Sequence, residues 1–217
     1  MDVAPDLAPA PDTGLDDVGL RERKKKATRR ALSDAALRLF MEVGFDQTTV
    51  DDIAAAVHVA PRTFHRYFPR KEDVLFSDAA RRVELLRSAL AHRAADEPLL
   101  SSLRAGIGVV FDAIVDEREQ EIRRSAVLRD NPVVRAANLR YLDEWSAVLA
   151  EHVAAREGMR PTDPWPSLVA RCAVAAASIA RTQWIEHGGA LSSRLDETFE
   201  MLVQLATANR DDPGRLQ

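Results

Sequence analysis

Apolar residues recur every three to four positions along nearly all of this 217-residue chain, and no stretch alternates as a half-buried strand would. The pattern predicts an all-α fold of about nine helices. A first helix over about 20–43 carries Leu32, Ala36, Leu39, Phe40 and Val43 on one stripe, with Gly44 placed for a left-handed C-terminal cap. Thr48 or Thr49, followed by Asp51 or Asp52, predicts the capping box of a short second helix bearing Val50, Ile53, Ala54 and Val57. His58, Val59 and Ala60 make a three-residue turn. Pro61 then opens a third helix, where its missing N–H costs nothing. A fourth helix is expected from about 69–70 to 94, a fifth over 98–117 and a sixth over 118–129. Asn131-Pro132 and Asp163-Pro164 are start signals for a seventh and an eighth, the latter ending at Gly188-Gly189. Ser193, with Asp196 three residues on, is the expected cap of a ninth whose stripe is Leu195, Phe199, Leu202 and Ala206.

These elements divide the chain into an acidic disordered tail (1–19), a three-helix domain (20–70), a larger helical domain (71–209) and a loose end (210–217). Charge is divided the same way. Residues 1–19 hold five Asp and no base, whereas 20–71 hold twelve Arg and Lys against six Asp and Glu. A basic block inside a chain of net charge −4 points to a polyanion-facing surface confined to one region.

The window 49–68, TVDDIAAAVHVAPRTFHRYF, gives that surface a shape. Two short helices joined by a tight turn cannot form a core alone. Packed on a longer first helix they make a helix-turn-helix unit whose last helix fits a DNA major groove. Ala54 and Ala55 allow close helix approach, and Phe64 and Phe68 face inward. Arg62, Thr63, His65 and Arg66 face outward as donors to bases and phosphates. Lys71 is placed to reach a backbone phosphate, and the helix beginning at Thr49 offers free N–H groups to another. Lys24–Lys26, Arg29 and Arg30 are further candidates for phosphate contact, or equally a solvated face.

The runs ALSDAALRLFMEVGF, TTVDDIA and TFHRYFPRKEDVL closely resemble the TetR family of bacterial regulators. The resemblance implies DNA contacts at Pro61, Arg62, Thr63, His65, Arg66, Tyr67 and Lys71. Two positions depart from the family pattern. His58 stands where glycine is usual, in a turn that wants a left-handed backbone, and His65 stands where tyrosine is usual. The segment from RKEDVLFSDAARRVELL to DEWSAVLAEHVAAREG resembles the subgroup of the mycofactocin-system regulator, which implies a small hydrophobic or acyl-CoA-like effector.

In the second domain, LVARCAVAAASIA (168–180) is apolar nearly all round and so is expected to be buried on every side. One of those sides is predicted to be another subunit, giving a homodimer through a four-helix interface with the ninth helix. The alternative is an intrachain core helix. An effector pocket is expected among the fourth to eighth helices, with Trp145, Trp184 and Arg181 as its candidate residues. Gly106 and Gly108 either admit that ligand or allow a close helix crossing.

Other functions find little support. A single cysteine, Cys172, excludes an intramolecular disulfide, and the uncharged stretches are too short to span a bilayer. His92, His152 and His187 lack metal-ligand spacing, and no nucleophile elbow or phosphate loop occurs. Neither catalytic residue nor metal nor cofactor is expected. The reading is a cytoplasmic, ligand-responsive repressor of double-stranded operator DNA. Its competitor is a helical ligand- or partner-binding protein without specific operator binding.

Overall fold

The computed structural model describes residues 14–208, so most of the expected acidic tail and the loose C-terminal end lie outside the described residues. Nine α-helices and two short 3-10 turns follow one another, with no strand among the described residues. Helix α1 (Gly14–Glu42) begins six residues earlier than the apolar stripe suggests. Its buried face is Leu32, Ala36, Leu37 and Phe40, while Val43 lies past the helix end and is exposed. Gly44 takes φ 96°, the left-handed conformation its position requires.

Helices α2 (Val50–Ala56) and α3 (Pro61–Tyr67) pack against each other and, through α2, on α1. Thr49 caps α2 in a complete capping box. Its hydroxyl accepts from the Asp52 amide at 3.1 Å, and its own N–H donates to the Asp52 carboxylate at 2.9 Å. His58 adopts φ 56°, so the left-handed turn survives without glycine. Ala54 is fully buried, whereas Ala55 is exposed and plays no part in the close approach.

The expected continuous fourth helix is two elements. A 3-10 turn (Glu72–Phe76) follows α3, and α4 (Ala79–Ala91) begins after it. Asp73 accepts from the Arg70 amide at 3.1 Å, the bond an acid in a first turn makes back to the capping residue, so a new turn starts here and does not continue α3. Val74 and Leu75 then drop into the core of the first domain beside Leu32, Phe64 and Phe68. The 3-10 turn thus packs with the three-helix unit.

Helix α5 (Leu99–Asp112) stops short of its expected end, and residues Val115–Glu117 form a second 3-10 turn before α6 (Arg118–Asp130). At Gly106 a Cβ would come within 2.6 Å of the Leu90 side chain, so this glycine serves a close crossing of α5 over α4. Helix α7 (Pro132–Glu157) runs into α8 (Pro164–His187) and α9 (Leu191–Ala208). Helix α9 starts two residues before Ser193, correcting the expected cap. The positive φ of Gly188 and Gly189 breaks the chain after α8, and the buried Leu191 anchors the new helix at once.

The larger core joins α4, α5, α7, α8 and α9 around Leu103, Ile107, Leu149, Trp184 and Leu195. The smaller core is not confined to the first domain, because Val127 of α6 and Val134 of α7 belong to it. The corner between α6 and α7 thus plugs into the three-helix unit, and neither domain can tilt without disturbing shared packing.

Candidate nucleic-acid interface and ligand cavity

Helix α3 presents two distinct faces. Phe64 and Phe68 are buried, with ring centroids 5.5 Å apart, and fix its inner side. Pro61, Arg62, His65 and Arg66 are exposed on the other side, and Thr63 and Tyr67 are half-buried between them. Arg66 lies over the Tyr67 ring, 5.2 Å from its centroid. Thr49 is exposed at the start of α2, but its hydroxyl and amide are both committed to Asp52. Any phosphate contact from this end therefore falls to the following amides of the first turn.

Two of the cations expected near phosphate, Lys71 and Arg29, also hold backbone carbonyls. The Lys71 ammonium donates to the carbonyls of Phe45 at 2.6 Å and Thr48 at 2.9 Å, and stands 4.1 Å from the Phe45 ring centroid. It ties the loop between α1 and α2 to the segment after α3, and burial lowers its pKa. Arg29 donates to the carbonyls of Ser77 at 3.0 Å and Tyr67 at 3.1 Å while covering the Phe68 ring. It braces α3 against α1. Sequence reasoning placed both among surface cations because a basic side chain near an exposed helix carries no mark of the carbonyls it will meet.

The second domain encloses a cavity of about 210 Å³. Its wall is largely apolar, from Phe76, Val110, Phe111, Leu142 and Val174 among others, and Trp145 lines it as expected. Trp184 does not. It is 1% exposed in the core, where Arg118 donates to its carbonyl and packs on its ring. Arg181 does line the cavity, but in company that the sequence did not reveal. Glu121, 1% exposed, accepts from Arg181 Nε at 2.9 Å, from Arg82 at 2.9 Å and from Arg124 at 2.8 Å, and all four residues line the space. Burial alone would raise the Glu121 pKa. The guanidinium groups of Arg181, Arg82 and Arg124 outweigh it and bring the value to about 2. Four charges from α4, α6 and α8 thus meet in one corner of an otherwise apolar cavity.

The position of this cavity matters. Leu75 and Phe76, in the 3-10 turn directly after α3, and Ala79 and Arg82, in the first turn of α4, form part of its wall. The cavity therefore borders the segment that follows α3.

Comparison with known proteins agrees with this two-part layout. Residues 32–77 match the model for bacterial regulatory proteins of the tetR family, and residues 97–206 match that of the MftR C-terminal domain. The chain is 31% identical over 207 residues to the HTH-type transcriptional regulator TcmR of Streptomyces glaucescens, covering 92% of each protein. It is 30% identical over 183 residues to the Mycobacterium tuberculosis protein named as the mycofactocin biosynthesis transcriptional regulator MftR, covering 83% of this chain and 91% of that one. Its fold is similar to the crystal structure of the transcriptional regulator FadR from Bacillus subtilis in complex with stearoyl-CoA, with a TM-score of 0.58, 22% identity, and coverage of 80% of this chain and 97% of that one. Matched in both domains and along nine-tenths of its length, the chain belongs to the TetR family of bacterial transcriptional regulators.

Proposed function

We propose that this regulator is a repressor that holds a pseudo-palindromic operator as a homodimer and leaves it when a small molecule fills the cavity of the second domain. The observation that carries the reading is the shared wall just described. The residues at the end of the α3 segment are also residues of the cavity, so a ligand that favours one position of the turn after α3 biases the recognition helix. Only a ligand whose affinity differs between the two positions can do this. DNA contacts are assigned to Pro61, Arg62, Thr63, His65, Arg66 and Tyr67, with the first-turn amides after Thr49 on a phosphate. Among the cavity residues, Trp145 and Arg181 retain the effector role, and Trp184 supports them from the core.

The dimer is supported by an apolar surface on α8 and α9. Leu168, Ala175 and Ile179 are exposed along one line of α8, and Met201 and Leu205 are exposed on α9, Leu205 to 72%. Leaving the Leu, Ile and Met side chains in water forfeits roughly 1.5–3 kcal/mol apiece relative to burying them, and a four-helix contact with a second copy covers them. The FadR structure holds an acyl-CoA, which supports a small hydrophobic or acyl-CoA-like effector for this chain. Among the described residues no helix is long and apolar enough to cross a membrane, and a protein whose partner is operator DNA works in the cytoplasm.

The test is binding to the DNA upstream of the protein's own gene, with Ile179→Asp beside the wild type. Wild type should sediment as a dimer and shift that DNA. Ile179→Asp should sediment as a monomer and bind at least tenfold more weakly. A wild-type protein that stays monomeric at micromolar concentration and leaves the DNA unshifted contradicts the proposal.

A further inference from the structure

The effector cavity, taken as such from the reading above, has a polar corner with more positive charge than its own acid can neutralise. Arg82, Arg124 and Arg181 line it against the single carboxylate of Glu121. Glu117 stands behind the wall, 3.5 Å from Arg82, and counting it still leaves one guanidinium in excess. Asp78 also acts on Arg82 from the start of α4, so the three guanidiniums are matched in number by three acids, of which only Glu121 faces the cavity. Guanidiniums that face an apolar cavity while two of the three counter-charges stand behind its wall are better satisfied when an anion joins them.

Hydrogen bonding points the same way. Among the described residues, the buried Nε of Arg82, Nε of Arg124, hydroxyl of Tyr141 and indole N–H of Trp145 have no hydrogen-bond partner. All four residues line this one cavity. Arg82 is 8% exposed and Trp145 6%, so neither residue has water freely at hand. Arg82 and Trp145 both approach the Tyr141 oxygen as donors, so three of the four groups converge on one point of the wall. Burial nevertheless pushes the Tyr141 pKa up to about 12, so the phenol keeps its proton and remains a donor. Native proteins leave few buried donors unpaired, and four around one space mark the seat of an acceptor.

We propose that the effector is a compact apolar carboxylate whose acid group lodges among Arg82, Arg124, Tyr141 and Trp145, with its hydrocarbon body against Phe111 and Leu142. A carboxylate supplies both quantities short at the cavity face, negative charge and several acceptor lone pairs. The volume, about 210 Å³, falls below the roughly 300–1,000 Å³ of common ligand pockets, so a body held wholly inside is short or folded. An acyl-CoA brings anionic phosphates, but its thioester carbonyl is a neutral, weaker acceptor and its nucleotide is far too large for a cavity of about 210 Å³. Entry is open from outside, because Leu128, Asn138, Arg181 and Thr182 line both this cavity and a shallower groove between α6, α7 and α8.

The experiment is calorimetric titration of the full chain, without DNA, with 2-naphthoate, decanoate, their primary amides and decanoyl-CoA. At least one acid should bind, at least tenfold more tightly than its amide, and decanoate should bind more tightly than decanoyl-CoA. Arg124→Met should reduce the acid-to-amide ratio to within threefold of unity. The wild-type comparison needs no variant, so a variant that fails to fold leaves the test intact. Amides that match their acids, a thioester that binds more tightly, or no binding by either acid overturns the proposal. Acids that bind with the expected preference yet leave operator DNA bound uphold the carboxylate site and remove the effector role instead.

Discussion

Replacing Glu121 with glutamine should destabilise the fold by about 3–5 kcal/mol, the usual cost of removing one member of a buried charge cluster. Its carboxylate accepts from three arginines on three helices, and without it Arg124 and Arg181 lose their acid partner while Arg82 keeps only its ion pair with Glu117. The dependence on pH should change with it. The folded-state pKa of Glu121 lies near 2, below its ordinary 4.5. The stabilisation from this group is therefore complete above about pH 4.5 and disappears as pH falls through 2. Denaturant unfolding at a series of pH values checks both parts. The wild type should lose stability over that window, and Glu121→Gln should start lower and fall less steeply. Equal stability of the two proteins at pH 7 would mean that the cluster contributes nothing to folding.

Joint replacement of Arg62 and Arg66 by alanine should weaken operator binding several-hundred-fold while leaving the fold intact. Each side chain is exposed on α3, and a bidentate contact to a base contributes about 1–3 kcal/mol. Two such losses in each of two protomers, taken at the lower bound, reach that factor. Lys71→Ala should behave differently. Its ammonium holds two loop carbonyls, and losing a charge-assisted anchor of this kind costs about 1.5–3 kcal/mol of stability. Thermal unfolding beside gel shift separates the two. A double variant with lowered stability, or a Lys71 variant that loses DNA affinity at unchanged stability, reverses the assignment.

Much of the first domain was legible because local signals agree there. The Thr49 capping box, Pro61 at a helix start, Gly44 past a helix end and the inward Phe64 and Phe68 each follow from nearest-neighbour chemistry. What escaped depends on tertiary placement. Nothing in the composition of α6, REQEIRRSAVLRD, distinguishes Glu121 from the wet acids beside it, since the helix lacks an apolar stripe. Its burial is decided by where α4 and α8 bring Arg82 and Arg181. Trp184 was equally ambiguous: an aromatic on a helix face can line a pocket or fill a core, and only the packing of α8 decides. The break between the 3-10 turn and α4 was hidden because helix-forming residues continue through it, and the tertiary pull on Val74 and Leu75 overrides them.

Repression by this protein requires the exposed side of α3 to enter a major groove. The most direct measurement is DNA cleavage by an iron chelate tethered at position 65, in His65→Cys with Cys172→Ser to remove the native thiol. On operator DNA the dimer should cut in two clusters centred about 34–36 Å apart along one face of the duplex. A bound complex that is cut at neither place, or as a uniform ladder, would show that α3 does not face the groove and would contradict the account.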